Sequence, residues 1–231
     1  GIWDEDPDGA SILLATGRAR HDLLVIAEPA FLRDLDQAWG RPSARVRLSF
    51  LPGVQAPSAP GQEDALMSYE RGGLGVLVAR GRTSVYEGEA ARSATALARI
   101  ASGARLRAAL LVTRATPLRG SGDVAGGSAP GQVRVVADHL NLSGGSLFPA
   151  PGMVSAGWDA TLTERLGSLR GVSGSSVVAL VPGPLRPSPA ESRALVSLGA
   201  DAAVTDSVAE AMVLASRGVA VSALTYLDAP A

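Results

Sequence analysis

The sequence predicts an α/β fold, a single three-layer domain with a central mixed, mostly parallel β-sheet flanked by helices. Short apolar runs alternate with segments of helical periodicity, and the last third reads strand, helix, strand, helix, strand. Hydrophobic residues make up 46% of the chain but aromatic residues only 4%, so Val, Leu, Ala and Ile must fill a core of buried strands. With 231 residues the chain is long enough for one substantial core, and we expect residues 1–231 to form one domain.

The individual elements follow from the apolar runs and from helical spacing. A helix is expected at about 30–39, and another at 89–104, where Ala90, Ala94, Leu97 and Ala101 recur at helical spacing. Loops are expected at 52–60, rich in Pro and Ser, and at 119–131, rich in Gly and Ser. The predicted strands are 23–27, 45–50, 74–79, 108–113, 133–140, 176–181, 202–205 and 219–224.

Two helices of the last third carry start and stop signals. Ser188-Pro-Ala-Glu191 is a capping box with proline at the first helical position, and Ser207-Val-Ala-Glu210 repeats the device. Gly199 and Gly218 stand where the two helices should end, as glycines at helix C-termini do. These signals predict the first and last residues of both helices to within a few positions.

Composition excludes several classes of function. The formal net charge is −1, from 21 basic and 22 acidic residues, which does not favour a nucleic-acid or membrane-surface partner. The chain has no cysteine and two histidines, so we expect no metal site. We expect His21 to be solvated or at a helix end, and His139 to be a satisfied core histidine. No apolar run is long enough to span a membrane and the first residues are acidic, so we expect a cytoplasmic protein.

Several segments, taken in order, carry a family resemblance over about residues 20–228. The matching family patterns are G-R-x-H-x-Y-E-G, D-H-I-N-L, A-G-P-S-[YF]-E-T-P-A-E, L-G-A-D-A-V-G-M-S-T-V-P-E and I-T-N-L. The corresponding segments here are Gly81-Arg-Thr-Ser-Val-Tyr-Glu-Gly88, Asp138-His-Leu-Asn-Leu142, Pro182-Gly-Pro-Leu-Arg-Pro-Ser-Pro-Ala-Glu191, Leu198-Gly-Ala-Asp-Ala202 with Ser207-Val-Ala-Glu210, and Leu224-Thr-Tyr-Leu227. In order and approximate spacing the chain resembles the trimeric purine nucleoside phosphorylases.

The resemblance implies reversible phosphorolysis, with phosphate as co-substrate and no cofactor. Such a site needs a cationic, N–H-rich cradle for phosphate and hydrogen bonds to the departing purine. By the resemblance, Arg82, Ser84 and Ala115 would contact phosphate, although Ser84 stands where the family has histidine. Tyr86 and Glu87 would contact the ribose and the substrate.

The phosphate-binding positions depart from the family pattern. The glycine-rich loop G-S-G-L-G matches Ala27-Glu-Pro-Ala-Phe31, where Glu28 adds negative charge and Pro29 removes an N–H. A phosphate-binding serine is replaced by Asp206, which would place like charges together. Both changes oppose phosphate binding.

The base-binding positions depart as well. Pro187 replaces the glutamate that recognises the purine, and Tyr226 replaces the asparagine that reads it. In the turn after strand 108–113, Pro117 replaces a glycine and Arg114 adds a charge. The resemblance also implies a further C-terminal helix, which we expect to be missing here.

Two functional hypotheses follow. In the first, the chain has no catalytic residues and is an inactive or regulatory paralogue, forming a homo-trimer or a hetero-oligomer with an active relative. In the second, it is an active phosphorylase or hydrolase on an altered substrate, in which Glu28 or Asp206 serves as a general base. Retained Arg82, Tyr86 and Glu87 favour a nucleoside or purine ligand in either case.

Overall fold

The computed structural model describes residues 6, 9–84, 91–118, 128–145, 148, 152–153, 157–183 and 186–228. Apolar runs of Val, Leu and Ala form the strands, as their β-branched and small side chains favour. The strands are β1 (Leu23–Ile26), β2 (Ala44–Val46), β3 (Leu66–Arg71), β4 (Leu74–Ala79), β5 (Ala108–Pro117), β6 (Val133–Asn141), β7 (Val172–Leu180), β8 (Ala202–Val204) and β9 (Ala220–Leu227).

The helices pack against this sheet. They are α1 (Ala10–Thr16), α2 (Arg33–Trp39), α3 (Ala91–Ala94), α4 (Ala96–Ser102), α5 (Ala160–Gly167), α6 (Pro189–Ser197) and α7 (Val208–Ser216). Two 3-10 helices cover Pro29–Phe31 and Leu48–Phe50. In the part of the chain that the structure describes, no helix has the length and apolar character needed to cross a membrane.

All nine strands belong to one sheet, in the order β2-β3-β4-β1-β5-β8-β7-β6-β9. Strand β9 also pairs with β5, so β5, β8, β7, β6 and β9 close into a ring. Of the nine pairings between the described strands, five are parallel and four antiparallel. The predicted α/β class and mixed sheet are confirmed. The predicted three flat layers do not describe the part of the sheet that closes into a ring.

The main core lies between the sheet and helices α1, α4 and α7. It is built from buried aliphatic side chains such as Ile12, Leu77, Ile100 and Leu214. A second cluster on the opposite face of β1, β3 and β4 includes Tyr69 and packs against Trp39 of α2. Burial of aliphatic area on both faces of the sheet explains why the strands read as continuous apolar runs.

Most predicted strands occur with boundaries shifted by a few residues. The predicted strand 45–50 is an exception, because β2 ends at Val46 and a 3-10 helix begins at Leu48, whose side chain is buried. Helix 89–104 is divided into α3 and α4, and residues 85–90 lie outside the described residues. Elements α1, β3 and α5 had no sequence prediction.

The two predicted capping boxes have different outcomes. At α6, the Ser188 side chain accepts from Glu191 N–H and the Glu191 carboxylate accepts from Ser188 N–H, as expected. At α7, Ser207 has φ of 64° and its hydroxyl donates to the carbonyl of Asp206, so the second capping box was wrong. The predicted ends at Gly199 and Gly218 are confirmed, since both glycines have positive φ beyond their helices.

His21 was expected to be solvated, but its side chain is fully buried. Its Nε2 lies 2.8 Å from the Ser68 hydroxyl, while Nδ1 has no hydrogen-bond partner among the described residues. Burial lowers the pKa of the His21 imidazole to about 4, and the neighbouring charge of Arg18 adds to the effect. His139 is partly buried and accepts a hydrogen bond of 3.0 Å from Trp158 Nε1.

Candidate functional site

The candidate site lies at the carboxyl ends of strands β1, β4, β5 and β9. Strands β4, β1, β5 and β9 run parallel, so the residues that follow them meet at one edge of the sheet. In open α/β sheets this edge is where ligands bind. The N-terminus of α7 closes the same region from the side, carrying Asp206 and Glu210.

Arg82 follows β4 and is buried, with 5% of its surface exposed. Its Nε donates to Glu210 Oε1 at 3.1 Å, and its Nη1 lies 3.5 Å from Asp206 Oδ2. The remaining N–H groups donate to backbone carbonyls, Val112 at 2.8 Å and Ile26 at 3.4 Å. The guanidinium is therefore surrounded by acceptors that belong to this chain.

The electrostatics of this cluster favour a charged arginine. Burial alone would lower the pKa of Arg82, but the carboxylates of Asp206 and Glu210 outweigh it and raise the pKa above its ordinary value. Burial raises the pKa of Glu210, against the opposing charge of Arg82. Glu210 is 4% exposed, and its Oε2 has no hydrogen-bond partner within the described residues. Asp206 in addition accepts a hydrogen bond from the Thr113 hydroxyl.

A second ion-pair cluster surrounds Arg114 of β5. Its Nε donates to Glu28 Oε1 at 2.7 Å, and its Nη1 donates to Asp228 Oδ1 at 2.9 Å. Glu28 is buried and also accepts from Gln62 Nε2 at 3.3 Å. Hydrogen bonding to Glu28 and Asp228 raises the pKa of Arg114. The new charge at position 114 thus compensates the new charge at position 28.

Two aromatic rings complete the Arg114 cluster. The guanidinium carbon lies 5.0 Å from the ring centre of Phe31 and 5.8 Å from that of Tyr226. The two rings are tilted at 51° with centres 5.7 Å apart. Cation–π contact of this kind adds about 0.5–1 kcal/mol each at partly exposed positions. Tyr226 therefore contributes to the cluster through its ring face.

Two cavities adjoin the clusters and share Val181 and Thr205 in their walls. The smaller cavity, of about 30 Å³, is lined at one end by Ser84, Asp206 and Glu210. The larger, of about 200 Å³, is lined by polar groups that include Arg114, Arg186 and Asp228. Ala115 and Pro187 also line the larger cavity.

The structure brings together many of the sequence-predicted positions. Arg82 and Asp206 are in direct contact, and Ser84 is buried beside them in the smaller cavity. Pro29 begins the 3-10 helix at the position that matches the glycine-rich segment of the family pattern. Pro117 continues β5 and pairs with Ala202 of β8, so no glycine-type turn forms there.

Tyr86 and Glu87 lie outside the described residues, so their predicted role stays a prediction. Among the residues that the structure describes, no group of three or more potential ligands could hold a metal ion. This finding concerns the described ranges only.

Sequence reasoning missed the residues that neutralise the site. Glu210 was read as half of a capping box, and its pairing with Arg82 joins positions 128 residues apart. Asp228 follows β9 and Gln62 precedes β3, and neither residue belongs to a sequence motif that would mark it as part of the site. The only available signal was the simultaneous gain of Glu28 and Arg114, a charge pair of opposite sign at two aligned loops.

The curated proteins to which this chain is similar in sequence share one function in their names. The purine nucleoside phosphorylases of Mycobacterium bovis, Mycobacterium tuberculosis and Mycobacterium leprae are each 32% identical over 221 residues, which cover 93% of this chain and 79% of each relative. No protein-family model matches the sequence.

Solved structures support the same fold. Purine nucleoside phosphorylase from Schistosoma mansoni in complex with inosine matches with a TM-score of 0.77 at 19% identity, covering 95% of this chain and 80% of the other. Its isoform 2, in complex with cytosine and ribose-1-phosphate, gives the same values. The structural match confirms the fold that the sequence predicts.

Proposed function

Because this chain belongs to the purine nucleoside phosphorylase family, we propose that it is a member with weak or no phosphorolytic activity, acting as a structural or regulatory subunit. One observation carries the proposal. The guanidinium of Arg82, the retained phosphate-binding candidate, is already paired with Glu210 and Asp206 of the same chain. A phosphate would have to compete with both carboxylates for one buried cation.

The position of Asp206 makes that competition unfavourable. Glu210 matches the last glutamate of the family segment, so the added charge in the cluster is Asp206 at the serine position. Two like charges about 4 Å apart repel by roughly 4 kcal/mol in a protein environment of effective dielectric constant 20. Phosphate binding next to Asp206 carries a repulsion of this order.

The first loop adds to the effect. Glu28 stands at the second position of the loop that cradles phosphate in the family, and Pro29 offers no N–H. The Glu28 carboxylate is held by Arg114, so that arginine is neutralised within the chain as well. Neither cluster presents an unneutralised cation to an anionic substrate.

The base-binding side supports the same conclusion. Pro187 lines the larger cavity and has no side-chain acceptor for purine N–H groups. Tyr226 packs its ring against Phe31 and Arg114. A purine or nucleoside would bind here with fewer directed hydrogen bonds than the family pattern implies. We therefore expect any such ligand to bind weakly.

The hydrolase alternative has less support. A general base needs a carboxylate that can accept a proton from water. Glu28 is bound to Arg114 and Gln62, and Asp206 is bound to Arg82 and Thr113. Both candidate bases are thus already engaged by hydrogen-bond donors of the same chain.

Activity assays test the proposal directly. We expect no phosphate-dependent cleavage of inosine, guanosine or adenosine by the purified protein, measured as release of purine base. Turnover at the ordinary enzyme rate of roughly 1–1000 per second would refute the proposal. Phosphate-independent cleavage would instead support the hydrolase.

Restoring the family residues should recover phosphate binding. The double variant Glu28→Ser with Asp206→Ser removes both added carboxylates, and we expect at least tenfold tighter phosphate binding by calorimetry, about 1.4 kcal/mol. Glu164→Gln, an exposed carboxylate on α5, is the matched control and should leave binding unchanged. Equal phosphate affinity in the wild type and the double variant would contradict the proposed role of these residues.

We also propose assembly as a homo-trimer or as a hetero-oligomer with an active paralogue, located in the cytoplasm. Family membership supports a large contact between subunits. Light scattering at micromolar concentration should give a particle larger than one chain. A stable monomer, alone and mixed with the active relative, would overturn the assembly proposal.

A further inference from the structure

The larger cavity, beside Arg114, has mostly polar walls. Its polar side chains are two guanidinium groups, two hydroxyls and one carboxylate, which belong to Arg114, Arg186, Thr116, Thr205 and Asp228. The cavity volume of about 200 Å³ lies below the ~300–1,000 Å³ of sites for drug-sized ligands, which favours a small occupant. The hydrogen bonds that its walls can still make indicate the chemistry of that occupant.

Arg114 retains hydrogen-bond donors that the described chain does not use. A guanidinium carries five N–H groups. One N–H each of Nε and Nη2 is directed to Glu28, and one of Nη1 donates to Asp228, so two of the five are left. The side chain is 43% exposed, so a ligand in the cavity can reach these donors.

The two threonine hydroxyls add to this donor surplus. Neither Thr116 nor Thr205 makes a side-chain hydrogen bond to another described residue. Each hydroxyl can donate one hydrogen bond. Together with the two N–H groups of Arg114, they let the walls of the cavity bind more than one carbonyl oxygen.

Asp228 supplies an unused acceptor next to these donors. Its Oδ1 accepts from Arg114 Nη1 at 2.9 Å, and no described residue donates to its Oδ2. The Asp228 side chain is 25% exposed. A free carboxylate oxygen and free guanidinium N–H groups therefore belong to one ion pair. A ligand with a carbonyl next to an N–H can bind both of them, with charge-assisted hydrogen bonds.

The charges around the cavity favour a neutral ligand. The lining holds two guanidinium groups and one carboxylate, and Glu28 contacts Arg114 from outside the lining, so two positive charges balance two negative ones. Beyond Thr205, the Arg82 cluster adds two carboxylates and one guanidinium, which disfavours an anion further. A cation would lie against the two guanidinium groups of the lining. A neutral ligand avoids both repulsions.

We propose that the larger cavity binds a small neutral ring with two carbonyl groups flanking an N–H, the pattern of a cyclic ureide such as uracil. The ring N–H donates to Asp228 Oδ2, one carbonyl accepts from Arg114, and the other accepts from the hydroxyl of Thr116 or Thr205. Two carbonyls for one N–H suit a lining with several unused donors and one unused carboxylate oxygen.

The inference deepens the proposed function and rests on it, because it gives a chain without phosphorolytic turnover a ligand to bind. The two proposals can fail separately. Phosphate-dependent release of purine base from inosine refutes the proposed function, irrespective of uracil binding. Absence of uracil binding by a chain without turnover refutes the inference alone.

Isothermal titration calorimetry near neutral pH tests the ligand class, and we expect saturable binding of uracil. Uracil methylated at both ring nitrogens keeps its carbonyls but has no N–H, so it leaves Asp228 Oδ2 without a donor and should bind at least about tenfold more weakly. Hypoxanthine, a larger ring system with one carbonyl, and glycine, a zwitterion, should also bind more weakly than uracil. No saturable heat with uracil, or equal affinity for any of the other three probes, would overturn the proposal.

Two variants localise the effect. Asp228→Asn places an amide donor where Oδ2 accepts, and should weaken uracil binding at least about tenfold without weakening that of the dimethylated ring. Asp34→Asn, exposed on α2 and outside the lining, is the matched control and should bind uracil like the wild type. Unchanged uracil affinity in Asp228→Asn would contradict the site.

If Asp228→Asn does not fold, anomalous scattering from bromouracil soaked into wild-type crystals decides. A bromine peak in the larger cavity supports the site, and its absence refutes it.

Discussion

Arg80 and Arg82 are separated by one glycine at the end of β4, yet they lie in different environments. Arg80 binds both oxygens of Asp36, at 2.7 and 2.9 Å, and Glu63 at 2.7 Å. The side chains of these partners are 37% and 30% exposed. Arg82 binds its carboxylates at 3.1 and 3.5 Å, and those side chains are only 6% and 17% exposed.

The comparison separates a structural ion pair from an altered binding site. The Arg80 contacts are short and bidentate, which is the favourable geometry for a guanidinium and a carboxylate. The Arg82 contacts are longer and more deeply buried, in a cluster with one unsatisfied carboxylate oxygen. Arg80 thus makes short contacts with partly exposed carboxylates, whereas Arg82 makes longer contacts with buried ones.

Removal of each arginine tests this difference and should have the largest effect. Arg82→Ala leaves Asp206 and Glu210 buried without their cation, which should reduce the free energy of unfolding by about 3–5 kcal/mol. Arg80→Ala leaves carboxylates that water can reach, and should cost roughly 1–2 kcal/mol. Urea denaturation of both variants measures the two values. Equal losses would break the distinction between the clusters.

The pH dependence of stability tests the buried Arg82 cluster further. The pKa of Glu210 is raised by burial above 4.5, so the folded state binds this proton more tightly than the unfolded chain. The free energy of unfolding should therefore fall as pH rises above 4.5, by at most about 1.4 kcal/mol per pH unit. Urea denaturation at a series of pH values measures this dependence, and Glu210→Gln should remove the contribution.

His21 provides the contribution of opposite sign. Its pKa falls from 6.5 to about 4 on burial, so the unfolded chain binds more protons and stability is lost as pH falls through that window. His21→Gln should flatten the plot of unfolding free energy against pH on its acid side only. A Glu210→Gln variant whose profile matches the wild type above pH 4.5 would contradict the assignment to the Arg82 cluster.

The smallest expected effect lies away from both clusters, at the capping box of α6. Ser188→Ala removes the hydroxyl that accepts from Glu191 N–H and should lower the free energy of unfolding by about 1 kcal/mol. Ser197→Ala, at the exposed end of the same helix, is the control and should change it by less than about 0.5 kcal/mol. Thermal unfolding of the two variants measures how much one exposed, uncharged hydrogen bond contributes to stability. If Ser188→Ala lowered the free energy of unfolding as much as Arg82→Ala, the buried charges would contribute no more to stability than an exposed helix cap.

The sequence predicted the elements whose signals are local. Strand β4 was placed to the residue and α6 by its capping box, because both depend on neighbouring side chains. The start of α7 was misread, since the Ser207 hydroxyl donates to the carbonyl of Asp206 and does not cap the helix. Helices α1 and α5 were missed; they have only seven and eight residues, too few for a helical pattern to repeat more than about twice.

The candidate site was predicted as a set of positions and not as a set of contacts. Glu28, Asp206 and Tyr226 were recognised as changed by aligning family motifs. Their partners were not, because the ion pair of Glu28 with Arg114 joins positions 86 residues apart. Charge compensation over such distances is a property of the folded topology, which no local pattern encodes.

The ring formed by β5, β8, β7, β6 and β9 has a further consequence for self-association. Within the described strands, β2 is the one strand that pairs on a single side, with β3, and it forms an edge of the sheet. That edge has three residues, and charged Arg41, Arg45 and Arg47 are exposed on or beside it. Short edges bearing charge resist strand addition. The short, arginine-bearing β2 edge is thus poorly suited to edge-to-edge association with a second sheet.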